Sequence, residues 1–177
     1  KPEEAIPLHD KSVKLARQLF DKPSLAARLG NLGNSYVVKG DYAKATQHFI
    51  EAVALYEELG RKPEVALRTG IIGNLYAEMG RNESKDELAF KLFHQALDYY
   101  GRAMKLMQEL GDKASEAEVI RSIGHVLMDA GQLEDAAEYL NVAQQMFEAL
   151  GLKKQAARSR QTLQRLIEYL EQQTSQK

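Results

Sequence analysis

The chain has 177 residues, 44% of them hydrophobic and 28% charged, the balance of an ordinary globular domain with enough length for a sizeable core. Its formal net charge of −1 argues against a general electrostatic attraction to nucleic acid or to an anionic membrane. The absence of cysteine excludes disulfides, thiolate nucleophiles and zinc–thiolate sites. No apolar run approaches the ~20 residues of a membrane-spanning helix, and no secretory leader is visible. A cytoplasmic setting is therefore expected. Proline is confined to four positions, none beyond Pro63, and strong helix formers dominate, so the chain should be all-α.

The first predicted element, Ala5 to Phe20, is a helix whose opening residues are left uncertain by Pro7. Its Leu15 and Leu19 correspond to Leu55 and Leu59 further on. It reads as the second helix of a partial repeat (1–20) without a first helix, and the start at Lys1 fits an excised piece of a longer protein. The first full repeat covers 26–60, with Pro23 at the head of its first helix, where proline is tolerated. The second covers 66–111, with Pro63 in the same role. The third covers 117–151. A last polar helix, 154–172, aligns with a first helix and should close the stack as a capping helix.

The three repeats share one skeleton. A glycine stands inside each first helix (Gly33, Gly73, Gly124), with a large apolar residue three positions later (Tyr36, Tyr76, Leu127). A second glycine is expected to end that helix (Gly40, Gly80, Gly131). The second helix carries alanine, a bulky residue and alanine again: Ala45, Phe49 and Ala52; Ala96, Tyr100 and Ala103; Ala136, Leu140 and Ala143. Gly60, Gly111 and Gly151 close it, suiting the left-handed position after a helix. Glycine inside a helix costs about 1 kcal/mol against alanine, so three in register imply close approach of a neighbouring helix.

The second repeat holds about 11 extra residues, roughly 82–92. Eleven residues make three helical turns plus ~20°, so the insertion can lengthen the second helix by ~16 Å without rotating its buried face. Ser84 with Glu87 has the form of a capping box that would start this helix. Leu88, Leu92 and Phe93 extend its apolar stripe. The extension either covers its own neighbours or offers a surface for a partner or a second copy.

This skeleton resembles the tetratricopeptide-repeat (TPR) family, from Ala26 to Gly151, with a step of 40 residues instead of the commoner 34. The longer helices are similar to those of Pins/LGN-type scaffolds, kinesin light chains and bacterial peptide-pheromone receptors. The resemblance implies a right-handed superhelical solenoid of antiparallel helix pairs, forming one domain over 1–177 with its C-terminal capping helix. It also implies a concave groove lined by the first helices. Carried over by register, the groove positions are Gly30, Asn34, Val37 and Val38, then Gly70, Asn74, Ala77 and Glu78, then Arg121, His125, Met128 and Asp129. Asn31 stands at the edge, and the capping helix adds Arg158 and Arg165. Of these, Asn31, Asn34, Val38, Asn74, Arg121, His125, Arg158 and Arg165 are the expected peptide contacts.

Asparagine is a poor helix-interior residue, and its amide offers both donor and acceptor to a peptide backbone. Asn34 and Asn74 are used that way in resembling proteins; the alternative is an amide bonded to a neighbouring helix. Arg121, Arg158 and Arg165 would favour an acidic ligand, opposed by Glu78 and Asp129, unless they belong to a solvated face. Chaperone-binding relatives carry a Lys/Asn/Arg clamp, and the matching positions here are Gly30, Asn34, Ile71, Glu118 and Ser122. Only the asparagine matches, so that clamp is not expected.

No phosphate loop, nucleophile elbow or zinc-protease motif occurs. His9, His48, His94 and His125 lack metal-ligand spacing. The sequence thus points to a binding module for a protein or peptide, without enzymatic activity, cofactor or metal, and with neither nucleic acid nor membrane as partner. The alternatives are a self-assembling structural unit, through the long second-repeat helix or the solenoid ends, and a regulatory segment of a larger signalling or transcription protein.

Overall fold

A computed structural model describes the backbone of residues 2–175 and the side chains of residues 5–173. Eight α-helices follow one another, with no strand among the described residues: α1 (Pro2–Gln18), α2 (Lys22–Lys39), α3 (Tyr42–Glu58), α4 (Lys62–Asn82), α5 (Asp86–Leu110), α6 (Lys113–Asp129), α7 (Leu133–Ala149) and α8 (Lys153–Ser175). They group into two compact units, Lys1–Leu106 and Met107–Lys177. The first helices of the three repeats are α2, α4 and α6.

Local chemistry fixes the helix ends. Asp21, Asp41 and Asp112 cap α2, α3 and α6 by accepting hydrogen bonds from the backbone N–H groups of Ser24, Lys44 and Ser115 at 3.1, 3.2 and 3.0 Å. Each cap holds its carboxyl below the usual range, because the hydrogen bonds favour the charged form. Pro23 and Pro63 lie in the first turns of α2 and α4. Gly40, Gly60, Gly111, Gly131 and Gly151 all take left-handed φ angles between +67° and +81°, as their terminal positions predict.

Phe20 occupies the equivalent turn after α1, at a left-handed φ of 54° and 91% exposed. It stands where Gly60 stands after α3. A side chain in this conformation costs about 1–2 kcal/mol, and so exposed a ring recovers little by packing. Phe20→Gly should therefore raise the unfolding free energy by about 0.5–1 kcal/mol after glycine's entropy cost, read as a higher midpoint in urea.

Helix pairing rests on the small residues. A Cβ at Gly33 would lie 3.0 Å from the Phe49 ring, one at Gly73 2.7 Å from Tyr100, and one at Gly124 2.9 Å from Leu140. Each mid-helix glycine thus admits the bulky residue of its own repeat. In the second repeat, Gly73 meets Tyr100 while Gly80 meets Phe93. Seven residues forward on α4 match seven back on α5, so the pair is antiparallel. Ala26, Ala45, Ala52, Ala96, Ala103, Ala117, Ala136 and Ala143 are all fully buried, which lets the backbones approach. Stacked rings repeat at one register: Tyr36 on His48, and Tyr76 on Tyr99.

The insertion departs from expectation in two ways. Gly80 does not end its helix. It is buried within α4, where a Cβ would come within 2.5 Å of the Phe93 ring, so its small size serves packing and no left-handed turn is needed. The extra residues are also shared between both helices: α4 has 21 residues against 18 in α2, and α5 has 25 against 17 in α3. The extension of α5 is therefore about 12 Å, short of ~16 Å. The Ser84–Glu87 capping box is likewise absent. The helix begins at Asp86, and the Glu83 carboxylate instead accepts the backbone N–H groups of Ser84 and Lys85 at 2.9 and 3.1 Å. Glu83 is nearer the connection than Glu87, and its two short-range bonds tie the connection down first.

In the second unit, α8 packs through Ala156, Ser159 and Leu166. Gln164, at the position of the mid-helix glycine, is exposed and bonds to Glu168 one turn on.

Candidate peptide-binding surfaces

On α2, Asn31, Asn34 and Val38 are exposed. Their i, i+3, i+7 spacing puts them along one stripe of the helix. The buried side of α2 is formed by Leu25, Ala26, Leu29, Leu32 and Gly33, so the core pattern itself turns these residues outward. Val38 is 72% exposed, an apolar contact within a polar stripe. No side-chain hydrogen bond engages Asn34 among the described residues. Its donor and acceptor both face solvent.

Asn74 holds the same register on α4 and is also exposed, yet its state differs. The Tyr100 hydroxyl donates to Asn74 Oδ1 at 2.6 Å. Phe49, which has no hydroxyl, holds the corresponding place in the first repeat. One oxygen atom thus separates an unengaged amide from one already bonded to a neighbouring helix. α2 and α4 are themselves neighbours, since the Arg68 side chain of α4 lies against Gly30 of α2. Of the remaining groove positions, Gly30, Gly70 and Ala77 are buried, and Glu78 is paired with Arg81 on its own helix.

In the second unit, Arg121 is half-buried, paired with Glu118 on the same helix, and placed over the Phe147 ring with its Cζ 5.9 Å from the centroid. Its charge is largely spent internally. His125 is half-buried. Arg158 and Arg165 are exposed, two turns apart on α8.

Burial pushes His48 below the usual histidine range, so its ring is neutral at pH 7 where it stacks on Tyr36. Burial would raise Glu116, but hydrogen bonds from Lys113 and Gln108 outweigh it and keep the carboxylate charged. No group of three or more His, Asp or Glu side chains suited to a metal occurs among the described residues. Nor is any described helix long and apolar enough to cross a membrane.

Arg68 is absent from the positions that sequence register selects. It lies five residues before Gly73, off the groove register. The available signal is its isolation: it is the sole charge between Glu64 and Glu78, in a stretch otherwise committed to packing.

Comparison with known proteins agrees with this architecture. The family model described as tetratricopeptide repeat matches residues 1–58. No curated protein sequence matches the chain. Among solved structures, TPR-like repeats of a Podosopora anserina protein described as a kinesin light chain align at a TM-score of 0.65 and 18% identity, over 99% of this chain and 89% of that one. The apo form of RapI aligns at 0.57 and 16% identity, over 95% and 64%. A Rap protein complexed with Competence and Sporulation Factor aligns at 0.54 and 21%, over 97% of this chain but 49% of that one. These likenesses concern the fold. The family model thus covers the first third of the chain, the same skeleton continues to Gly151, and the whole chain shares the fold of solved TPR-like repeats.

Proposed function

We propose that the chain binds a protein partner by holding an extended segment of it along the face shared by α2 and α4, and that it does so without catalysis. The observation that carries this reading is Asn34, an exposed helix-interior amide with no side-chain hydrogen bond among the described residues, flanked by Asn31 and Val38. An amide can donate to one backbone carbonyl and accept from one backbone N–H, which grips a peptide independently of its sequence. A protein of similar fold is known in complex with Competence and Sporulation Factor, which supports the same use of the fold here.

The test begins with selection of binders from a displayed library of random peptides. Calorimetry then compares wild type, Asn34→Ala and Asn74→Ala. Asn34→Ala should weaken binding about tenfold, the scale of one or two hydrogen bonds, with no loss of thermal stability. Asn74→Ala should cost less, since Tyr100 already takes its carbonyl oxygen. Equal affinity of wild type and the double variant would place the ligand elsewhere.

A second reading has one observation in its favour. Leu88 and Phe90, on the extension of α5, are 42% and 47% exposed, and they offer an apolar contact for a second copy. Sedimentation showing a monomer at every concentration would remove it.

A further inference from the structure

We propose that Arg68 is the docking point for a carboxylate of the bound segment, and that Gly30 exists to hold that guanidinium in place. This inference rests on the peptide-binding reading above and supplies it with a ligand chemistry. Arg68 rises from α4 and lies across α2. A Cβ at Gly30 would stand 3.1 Å from its Nη2 and 3.2 Å from its Cζ. On another side the Cζ lies over the Phe49 ring, 5.6 Å from the centroid. Helix backbone and aromatic ring thus fix the guanidinium.

Among the described residues the group has no acceptor. Its Nε is fully buried without a hydrogen-bond partner. Its two terminal nitrogens also have no hydrogen bond among the described residues and are not among the buried unpartnered atoms, so they reach solvent. No ion pair joins Arg68 to a carboxylate among the described residues. The nearest acid on its helix, Glu64, is paired with Arg61, and Arg68 adds only a weak pull on it. Three other arginines, by contrast, are engaged across helices: Arg17 with Glu51, Arg102 with Glu57, Arg160 with Glu148. A fixed, half-buried guanidinium with four free N–H donors and no carboxylate is a site short of its counter-charge.

Gly30 strengthens the case. Glycine inside a helix is unfavourable relative to alanine, and Gly30 faces neither a bulky core residue nor a turn. What it meets is the Arg68 guanidinium. Asn34 follows one turn later on α2, so an anionic group at Arg68 and a backbone contact at Asn34 fit one extended segment. A single arginine without a neighbouring lysine suits a monoanionic carboxylate better than a dianionic phosphate. Such a carboxylate comes from an acidic side chain or from a chain terminus.

Nuclear magnetic resonance of the arginine side-chain nitrogens tests this directly. The probes are an acetylated, amidated pentapeptide of alanines with a central aspartate, its asparagine counterpart, acetylated penta-alanine with a free C-terminus, and inorganic phosphate, all at equal ionic strength. A saturable shift of the Arg68 resonance is expected with the aspartate peptide, the free-terminus peptide or both, and the pattern identifies the source of the carboxylate. Arg68→Lys, which keeps the charge but loses the planar fork, should weaken this about tenfold, as should Gly30→Ala, whose Cβ displaces the guanidinium. Gly30→Ala should melt no lower than wild type, which separates positioning from folding. No Arg68 shift, an equal shift with the asparagine peptide, tighter binding of phosphate, or wild-type affinity in Gly30→Ala would overturn the proposal. If library-selected peptides lose affinity in Asn34→Ala but not in Arg68→Lys, the peptide face stands and the carboxylate site fails; the converse keeps Arg68 and removes Asn34.

Discussion

Phe49→Ala should lower the unfolding free energy by about 3–5 kcal/mol, the range for removing a fully buried aromatic ring. Phe49 is completely buried, with its ring seated against Gly33 on one side and beneath Arg68 on another. Gly33 cannot fill the space, since it has no side chain to move. The loss should appear as a large drop in urea midpoint, and amide exchange should show the greatest loss of protection in α2 and α3. Phe49→Leu should be far milder, because the third repeat carries Leu140 against Gly124 at this same register. A small effect for alanine would mean that the first repeat closes without its central ring.

Gly73→Ala should destabilise by up to about 2 kcal/mol, although alanine is the better helix former by about 1 kcal/mol. The opposing cost is overpacking, typically about 1–3 kcal/mol. The added Cβ would stand 2.7 Å from two ring carbons of Tyr100, and that ring is 2% exposed and anchored by its hydroxyl to Asn74. It has nowhere to go without breaking the bond. Gly101→Ala is the matched control. Gly101 lies inside α5, is exposed, and has nothing within 4 Å of the added atom, so the substitution should stabilise by about 1 kcal/mol. Opposite signs from one chemical change on adjacent helices, measured by thermal or urea unfolding, distinguish packing from propensity. The same sign for both would mean that Gly73 is not a packing site.

The repeat skeleton was legible because each of its choices is local or recurs. Left-handed glycines after helices, prolines in first turns and alanines at fixed offsets obey rules that hold within a turn or two of chain. The three mid-helix glycines were readable as contact points because each repeat sets one at the same place in its first helix, whereas the bulky residues that fill the contact, Phe49, Tyr100 and Leu140, emerge only from the packing. Gly80 was misread for the same reason. At the sequence level it matches Gly40 and Gly131, and only the arrival of Phe93 from a lengthened α5 makes it a packing glycine.

The site divided along the same line. The register placed Asn31, Asn34, Val38 and Asn74 on exposed helix faces, and all four are exposed. What pattern cannot convey is which polar group has found a partner. Asn74 is bonded to Tyr100 from 26 positions away, Arg121 is paired with Glu118, and Arg68 meets Gly30 across two helices with no acid to neutralise it. Periodicity specifies the direction in which a side chain leaves its own helix. Whether its hydrogen bonds and charge are satisfied depends on atoms that other helices bring within about 3 Å, and that is settled when the helices pack.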